Sequence, residues 1–484
     1  MPNLETRSSV VDPEADRIRD LCSAFLALQV QARSNQVLRD EIAAIKASHS
    51  WRLTAPLRQL RRWLGSRLPA LQPLQPADAG AGPGPLADAS ELLLRRVAPE
   101  AAVARPASVR SRQLLVDVTE LAREDLGAGV QRVVNRVLVE LLLDPPTGFR
   151  VEPVRLSADG RYVHARNFLG RLLGLEAREV GVDLPVNARP GDQYLGLDLI
   201  RDRAALARPA LLSMKAGRVA MAFVVFDVLP LQQPGWFPEG MGERFREWLQ
   251  LVAECGDKAL CISDTVCRDL RSALAHEAPT SKITVASFPL GADLDSWLPP
   301  GAGLARPQPG VARFLMVGTV ELRKGHAQVI DAFEQLWAHG TPCELLIAGN
   351  AGWLVPGLAD RLRGHRESGK RLHWIEGGGD ASLLAAYRDS TALLAPSWGE
   401  GFGLPLVEAA AHGLPILARD LPVFREVAGA GADYFTGASG AELALAIEDW
   451  LRRWREGRVA DPRAVALPTW RDSANALKRH LAKP

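Results

Sequence analysis

The sequence predicts an α/β protein made of two parallel, doubly wound sheets, preceded by a helical extension. Three observations carry this. From Gln113 onward, short apolar runs alternate with segments of helical period, the pattern of strands buried on both faces between layers of helix. The alternation stops once, in the Pro- and Gly-rich stretch 296–312, and then starts again. Finally, 484 residues with 47% hydrophobic and 24% charged content are enough for two or three domains that each bury a core.

The chain opens on a frayed stretch, and a helical period then runs from Asp16 to Lys46. Ile18, Leu21, Phe25 and Leu28 recur by three and four, and Leu38, Ile42 and Ile45 resume the stripe after a phase break. This is a short coiled-coil-like segment or helical hairpin, expected to self-associate or to engage a partner protein. In 51–64, Thr54 suits a helix cap and Pro56 its first turn. Leu53, Leu57, Leu60 and Leu64 form a stripe with Arg58, Arg61 and Arg62 mostly off it, between Trp51 and Trp63. Such a helix either lies on an anionic membrane surface or packs its stripe on the preceding coil. The extension covers 1–68, and the Pro, Ala and Gly of 69–110 then read as a flexible linker.

The first sheet domain is expected over 111–296. Leu114–Val118 is a buried strand, and a loop with Gly127 and Gly129 leads into a helix that buries Val130, Val133, Val134, Val137, Leu138, Leu141 and Leu142. Further strands are expected near 150–154, 193–197, 219–226, 259–262 and 283–288. No G-x-G-x-x-G follows the first strand, which argues against a hydride-transfer dinucleotide domain. A hinge over 297–312 separates this Rossmann-like half from a second, 313–468, with strands near 314–317, 344–348, 372–375, 392–395 and 416–418. The closing segment, 469–484, carries a helix over 471–481.

Composition excludes other classes. A net charge of +2 leaves no nucleic-acid footprint. Five cysteines without a CxxC pair suggest a reduced compartment. Cys255, Cys261 and Cys267 fall on a helix end, a strand and the next helix, where structural thiols are expected. No apolar stretch approaches the ~20 residues that span a bilayer, and no signal peptide is read. The expected location is the cytoplasm or the inner face of the cytoplasmic membrane.

The chemistry concentrates in Pro396–Pro415, PSWGEGFGLPLVEAAAHGLP. An apolar strand ends in a proline, a glycine turn comes next, and Pro405 suits the first turn of a helix. Gly401 and Gly403 permit a sharp turn and close approach. The free N–H groups at such a helix start favour a phosphate. Glu400 and Glu408 bracket the turn, and their expected partners are hydroxyls. Together these describe a site for a sugar joined to phosphate.

E-G-F-G-L-P-L-V-E, with its two glutamates separated by seven residues, resembles the signature of retaining GT-B glycosyltransferases of family 4. The resemblance extends over Gln113 to Leu481 and includes, in order, Gly318-Thr-Val-Glu-Leu-Arg-Lys-Gly325, Leu346-Ile-Ala-Gly349 and Glu426-Val427. It implies two Rossmann-like domains facing across a cleft, with the last helix crossing back to the first. The nucleotide-sugar donor would be held mainly by the second half, and no cofactor or metal would be needed. It places Arg323 and Lys324 on the departing diphosphate, Glu400 on the donor sugar and Glu408 on the ribose. The N–H groups of Phe402 and Gly403, leading into Leu404, would meet the phosphates. Gly318 and Gly349 end strands at the donor site, and Gly127 and Gly129 form the first-domain loop over it. Arg132 either supports that loop or lies on the helix surface.

The match departs from the family at Phe226, where many members carry histidine before the retained Asp227. Asp227 either polarises an acceptor hydroxyl or caps its loop. Asp293-Leu-Asp295 has the spacing of a metal-binding D-x-D but is not expected to hold one. Val116-Asp-Val-Thr119 and Gly129-Val-Gln-Arg132 resemble mannosyl- and rhamnosyl-transferring members of bacterial surface-polysaccharide assembly, including O-antigen. That favours a GDP-linked donor and a polysaccharide or lipid-linked glycan acceptor. Two alternatives share the architecture: a nucleotide-sugar epimerase, and a catalytically silent subunit that recruits an active partner.

Overall fold

The computed structural model describes residues 111–124, 129–173, 182–293 and 308–482. The coil of 16–46, the amphipathic segment 51–64, the linker, Gly127, Asp295 and most of the hinge lie outside the described residues. Both sheets belong to one compact unit.

The first half runs β1 (Arg112–Asp117), α1 (Thr119–Arg123), α2 (Gly129–Leu143), β2 (Phe149–Leu156), β3 (Tyr162–His164), α3 (Arg166–Leu173), β4 (Gln193–Gly196) and α4 (Ala204–Ala216). It continues through β5 (Ala220–Val225), α5 (Leu229–Gln232), α6 (Met241–Cys255), β6 (Lys258–Cys261), α7 (Asp264–Glu277) and β7 (Thr284–Ser287). The sheet order is β3-β2-β1-β4-β5-β6-β7. All neighbours are parallel except β3, which runs antiparallel to β2. Leu114, Leu115 and Val116 are fully buried, as strands covered on both faces must be. The helix expected after the glycine loop forms as α2, burying Val133, Val134, Val137, Leu138, Leu141 and Leu142 against the sheet.

The second half runs β8 (Ala312–Val317), α8 (His326–Ala338), β9 (Cys343–Ala348), α9 (Pro356–Arg363), β10 (Leu372–Ile375), α10 (Asp380–Arg388) and β11 (Ala392–Ala395). Then come α11 (Leu404–Ala411), β12 (Ile416–Arg419), α12 (Pro422–Ala428), β13 (Asp433–Phe435), α13 (Gly440–Arg455) and α14 (Trp470–Ala482). The order β10-β9-β8-β11-β12-β13 is parallel throughout. Phe314, Phe333 and Trp450 pack edge to face at its centre, with centroids 5.4–5.8 Å apart. Cys255, Cys261, Cys267 and Cys343 are buried free thiols.

α14 returns to the first half. Gln193 Nε2 donates to the carbonyl of Leu481 at 3.1 Å, Lys258 Nζ donates to that of His480 at 2.9 Å, and Lys478 meets Asp144 at 2.6 Å. The Asp293 carboxylate accepts from the N–H of Trp470 at 2.7 Å, so the first acid of the D-x-D stretch caps this helix. No helix among the described residues is long and apolar enough to cross a membrane.

Candidate active site

The site is built where the carboxyl-terminal edges of the two sheets meet. β11 ends in Ala395, and Arg419 anchors the turn beyond it. The Arg419 guanidinium donates to the Pro396 carbonyl at 3.0 Å and to that of Gly437 at 2.7 Å, and lies 3.5 Å from the centroid of the Trp398 ring. Burial holds this arginine down at about 10. The chain then turns through Gly399–Gly403 and enters α11. Gly403, at φ +98°, supplies the left-handed conformation that the turn requires; Pro405 brings no N–H to the first turn of α11, and the Leu406 N–H donates to the Gly403 carbonyl at 2.9 Å.

At Gly401 the two halves touch. A Cβ there would overlap the carbonyl oxygen of Phe226, which precedes Asp227 at the end of β5. The Ser263 hydroxyl donates to the Gly401 carbonyl at 2.7 Å. A second pin lies beside it, since the Glu426 carboxylate on α12 accepts from the N–H groups of Asp264 and Thr265 at 2.6 and 2.8 Å. A carboxylate from one half thus caps the helix start of the other, where its charge is favoured.

Arg323 and Lys324 come after β8, and both point to Glu400. Lys324 Nζ lies 2.5 Å from Glu400 Oε1, and Arg323 Nη1 lies 3.1 Å from Oε2. Ser397 donates to Oε1 at 2.7 Å, and Arg323 Nε also pairs with Glu321 at 3.0 Å. Burial alone would raise the Glu400 carboxyl, but Lys324 and Arg323 outweigh it and hold it at about 2. Burial raises Asp227 against the pull of Arg323, and Asp227 accepts from the Leu229 N–H at 3.1 Å, capping its own loop. Burial beside Lys324 holds the His326 imidazole down at about 3, hence neutral at pH 7. Lys324, His326, Ser397, Glu400 and Gly403 line one small cavity.

Glu408, nearly buried on α11, makes a second cluster. Arg132 Nη1 of α2 meets its Oε1 at 2.6 Å, and the Tyr387 hydroxyl donates to its Oε2 at 2.6 Å. Arg132 is therefore not a solvated helix-surface residue. It bridges the halves, with Asp380 3.5 Å away. Gly129 opens α2 one turn before it. Gly318 (φ +131°) and Gly349 (φ +155°) adjoin each other at the ends of β8 and β9. Phe402 is buried and Leu404 begins α11.

The structure thus groups Arg323, Lys324, Glu400 and Asp227 in one cluster, and Glu408 with Arg132 and Tyr387 in another. Sequence reasoning did not foresee that both cations are already paired with Glu400, and Arg323 with Glu321 as well. It gave Tyr387 and Ser397 no role. Phe226, in place of the usual histidine, is a buried packing residue at 5% exposure. Among the described residues, no group of three or more His, Cys, Asp or Glu is arranged to hold a metal.

Two parallel doubly wound sheets, joined so that their carboxyl-terminal edges form one site, are the GT-B architecture. Among solved structures, sucrose-phosphate synthase from Thermosynechococcus elongatus superposes with TM-score 0.51 at 15% identity, covering 76% of this chain and 99% of that one. Anabaena HepE in complex with UDP-glucose superposes at 0.50 and 13% identity, covering 76% and 94%. Residues 306–462 match the profile of the glycosyl transferases group 1 family, and this second half is a domain of that family. The serotype-specific mannosyltransferase WbdA of Escherichia coli is 37% identical over 381 residues, 77% of this chain and 46% of WbdA. The chain spans about half the length of these curated relatives.

Proposed function

We propose that the chain is a retaining, metal-independent glycosyltransferase that moves a sugar from a nucleoside-diphosphate donor to a glycan acceptor. The observation that carries this is the Arg323–Lys324–Glu400 cluster beside the N-terminus of α11, with Glu408 one turn further in. Arg323 retains N–H groups beyond those on Glu321, Gly399 and Glu400, and Lys324 retains two ammonium protons beyond its bond to Glu400. These, with the helix start, can receive a diphosphate and take up the charge that develops as it leaves. Metal independence is proposed because protein cations already stand at that position.

Glu400 fixes both cations, and any contact it makes with the sugar adds to that. The Glu408 carboxylate has about four lone-pair sites, of which Arg132 and Tyr387 use two. Two remain for the hydroxyls of a ribose. The resemblance to mannosyltransferases favours a mannosyl, GDP-linked donor and a polysaccharide or lipid-linked acceptor. The silent-subunit reading rests on Phe226, yet that residue packs against the fold while every charged group of the cluster is present.

The test is incubation of the purified full-length chain with GDP-, UDP- and dTDP-sugars and mannose-terminated oligosaccharides, in excess EDTA. Transfer with release of a nucleoside diphosphate is expected. A folded chain that turns over none of these donors, with or without Mg²⁺, would overturn the enzyme reading.

A further inference from the structure

A pocket of about 370 Å³ opens on the first half, at the carboxyl-terminal edge of β1 and β2, where Thr119 and Leu156 line it. Because β1, β4 and β5 run parallel, this is the same edge on which Asp227 follows β5. It sits beside the point where the strand order reverses, between β1 and β4, which is where open α/β sheets take ligands. Its volume is in the range of ligand-binding clefts.

Four guanidiniums line it: Arg123, Arg155, Arg171 and Arg203. Two carboxylates meet them. Asp183 pairs with Arg155 at 2.7 Å. Glu120 is shared, one oxygen 3.0 Å from Arg203 Nε and the other 2.9 Å from Arg123 Nη2. Arg171 has no carboxylate partner among the described residues, and donates only to the carbonyl of Ala122 at 3.0 Å. Among the described residues the other three guanidiniums pair with these two carboxylates, while Glu124 and Asp202 also act on Arg123 from nearby. Guanidiniums in this number suit a phosphate or diphosphate ester, which accepts paired hydrogen bonds from each fork.

We infer that this pocket binds the phosphate or diphosphate carried by the acceptor, so that the first half holds the acceptor by its anionic end. The inference rests on the transferase reading for the word acceptor. The chemistry it names, recognition of a phosphate ester by Arg123, Arg155, Arg171 and Arg203, stands on the pocket itself. A diphosphate joined to a lipid and one on a soluble glycan share that chemistry.

Arg123→Gln with Arg171→Gln removes two of the four charges and leaves the Glu120–Arg203 and Asp183–Arg155 pairs in place. The full-length chain is first saturated with GDP or UDP, whichever it binds, so that the donor half is filled. It is then titrated calorimetrically with inorganic pyrophosphate and, separately, with a short prenyl diphosphate. The wild type should bind pyrophosphate, and the double variant at least about tenfold more weakly, since each lost charge-assisted bond contributes about that factor or more. Tighter binding of the prenyl diphosphate marks a lipid-linked acceptor; equal binding marks a soluble glycan phosphate. The nucleotide affinity of the variant, read in the first step, controls for folding. Equal pyrophosphate affinity in the two proteins, or none in either, overturns the pocket. Failure of the nucleotide step alone overturns the donor reading and leaves the pyrophosphate result readable.

Discussion

Glu400→Ala is expected to destabilise the protein by about 3–5 kcal/mol, because it leaves Arg323 and Lys324 buried without their shared partner. The carboxylate side chain is 11% exposed and each cation less than a fifth, so solvent can replace little of the lost pairing. The linkage calculation gives a similar size. A carboxyl moved from 4.5 to about 2 contributes on the order of 3 kcal/mol at neutral pH. Because the folded value is depressed, that stability is fully present above about pH 4.5 and is lost as pH falls towards 2. Denaturant melts at pH 7 and pH 3 check both statements. The gap between wild type and Glu400→Ala should be wide at pH 7 and narrower at pH 3. A gap independent of pH, or below about 1 kcal/mol at pH 7, would show that the pairing contributes little.

Lys324→Ala should act on turnover. Its ammonium already lies beside the glycine turn, and on the proposed transferase reading its attraction to the donor strengthens as the diphosphate leaves with growing charge. An interaction stronger in the transition state than in the ground state appears in kcat. Loss of one charge-assisted hydrogen bond is worth about 1.5–3 kcal/mol, or roughly 10- to 150-fold. Steady-state kinetics should therefore show kcat falling by that factor with a smaller rise in donor KM. The opposite split, a large rise in KM at unchanged kcat, would assign Lys324 to ground-state binding.

Most of the fold was legible because parallel strands covered on both faces must be continuous apolar runs, as Leu114–Val116 and Ala392–Ala395 are. The two strands that sequence reasoning missed lack that signature. β3 is Tyr-Val-His, β13 is Asp-Tyr-Phe, and both sit at a sheet edge where one side has no neighbour to select apolar residues. The glycine turn, Glu400 and Glu408 were legible because spacing within one strand-turn-helix unit is local. Arg132–Glu408, Ser263–Gly401 and the Glu426 cap were not, because each joins residues more than a hundred positions apart. Their pairing depends on how the halves meet, which no local period encodes. Arg123 and Arg171 lie within one half, but they too are brought to one pocket by the fold and not by a local period.

The central claim is that the start of α11, with Glu408 behind it, is where a nucleoside diphosphate binds. Calorimetric titration of GDP and UDP into the wild type, Glu408→Ala and Glu400→Ala tests it most directly. The wild type should bind one of the two, and Glu408→Ala should bind it at least about tenfold more weakly, since the carboxylate proposed to receive two ribose hydroxyls is lost. Glu400→Ala, which keeps the ribose contact, should lose less, provided it is folded at the titration temperature. Unchanged nucleotide affinity in Glu408→Ala would contradict the account.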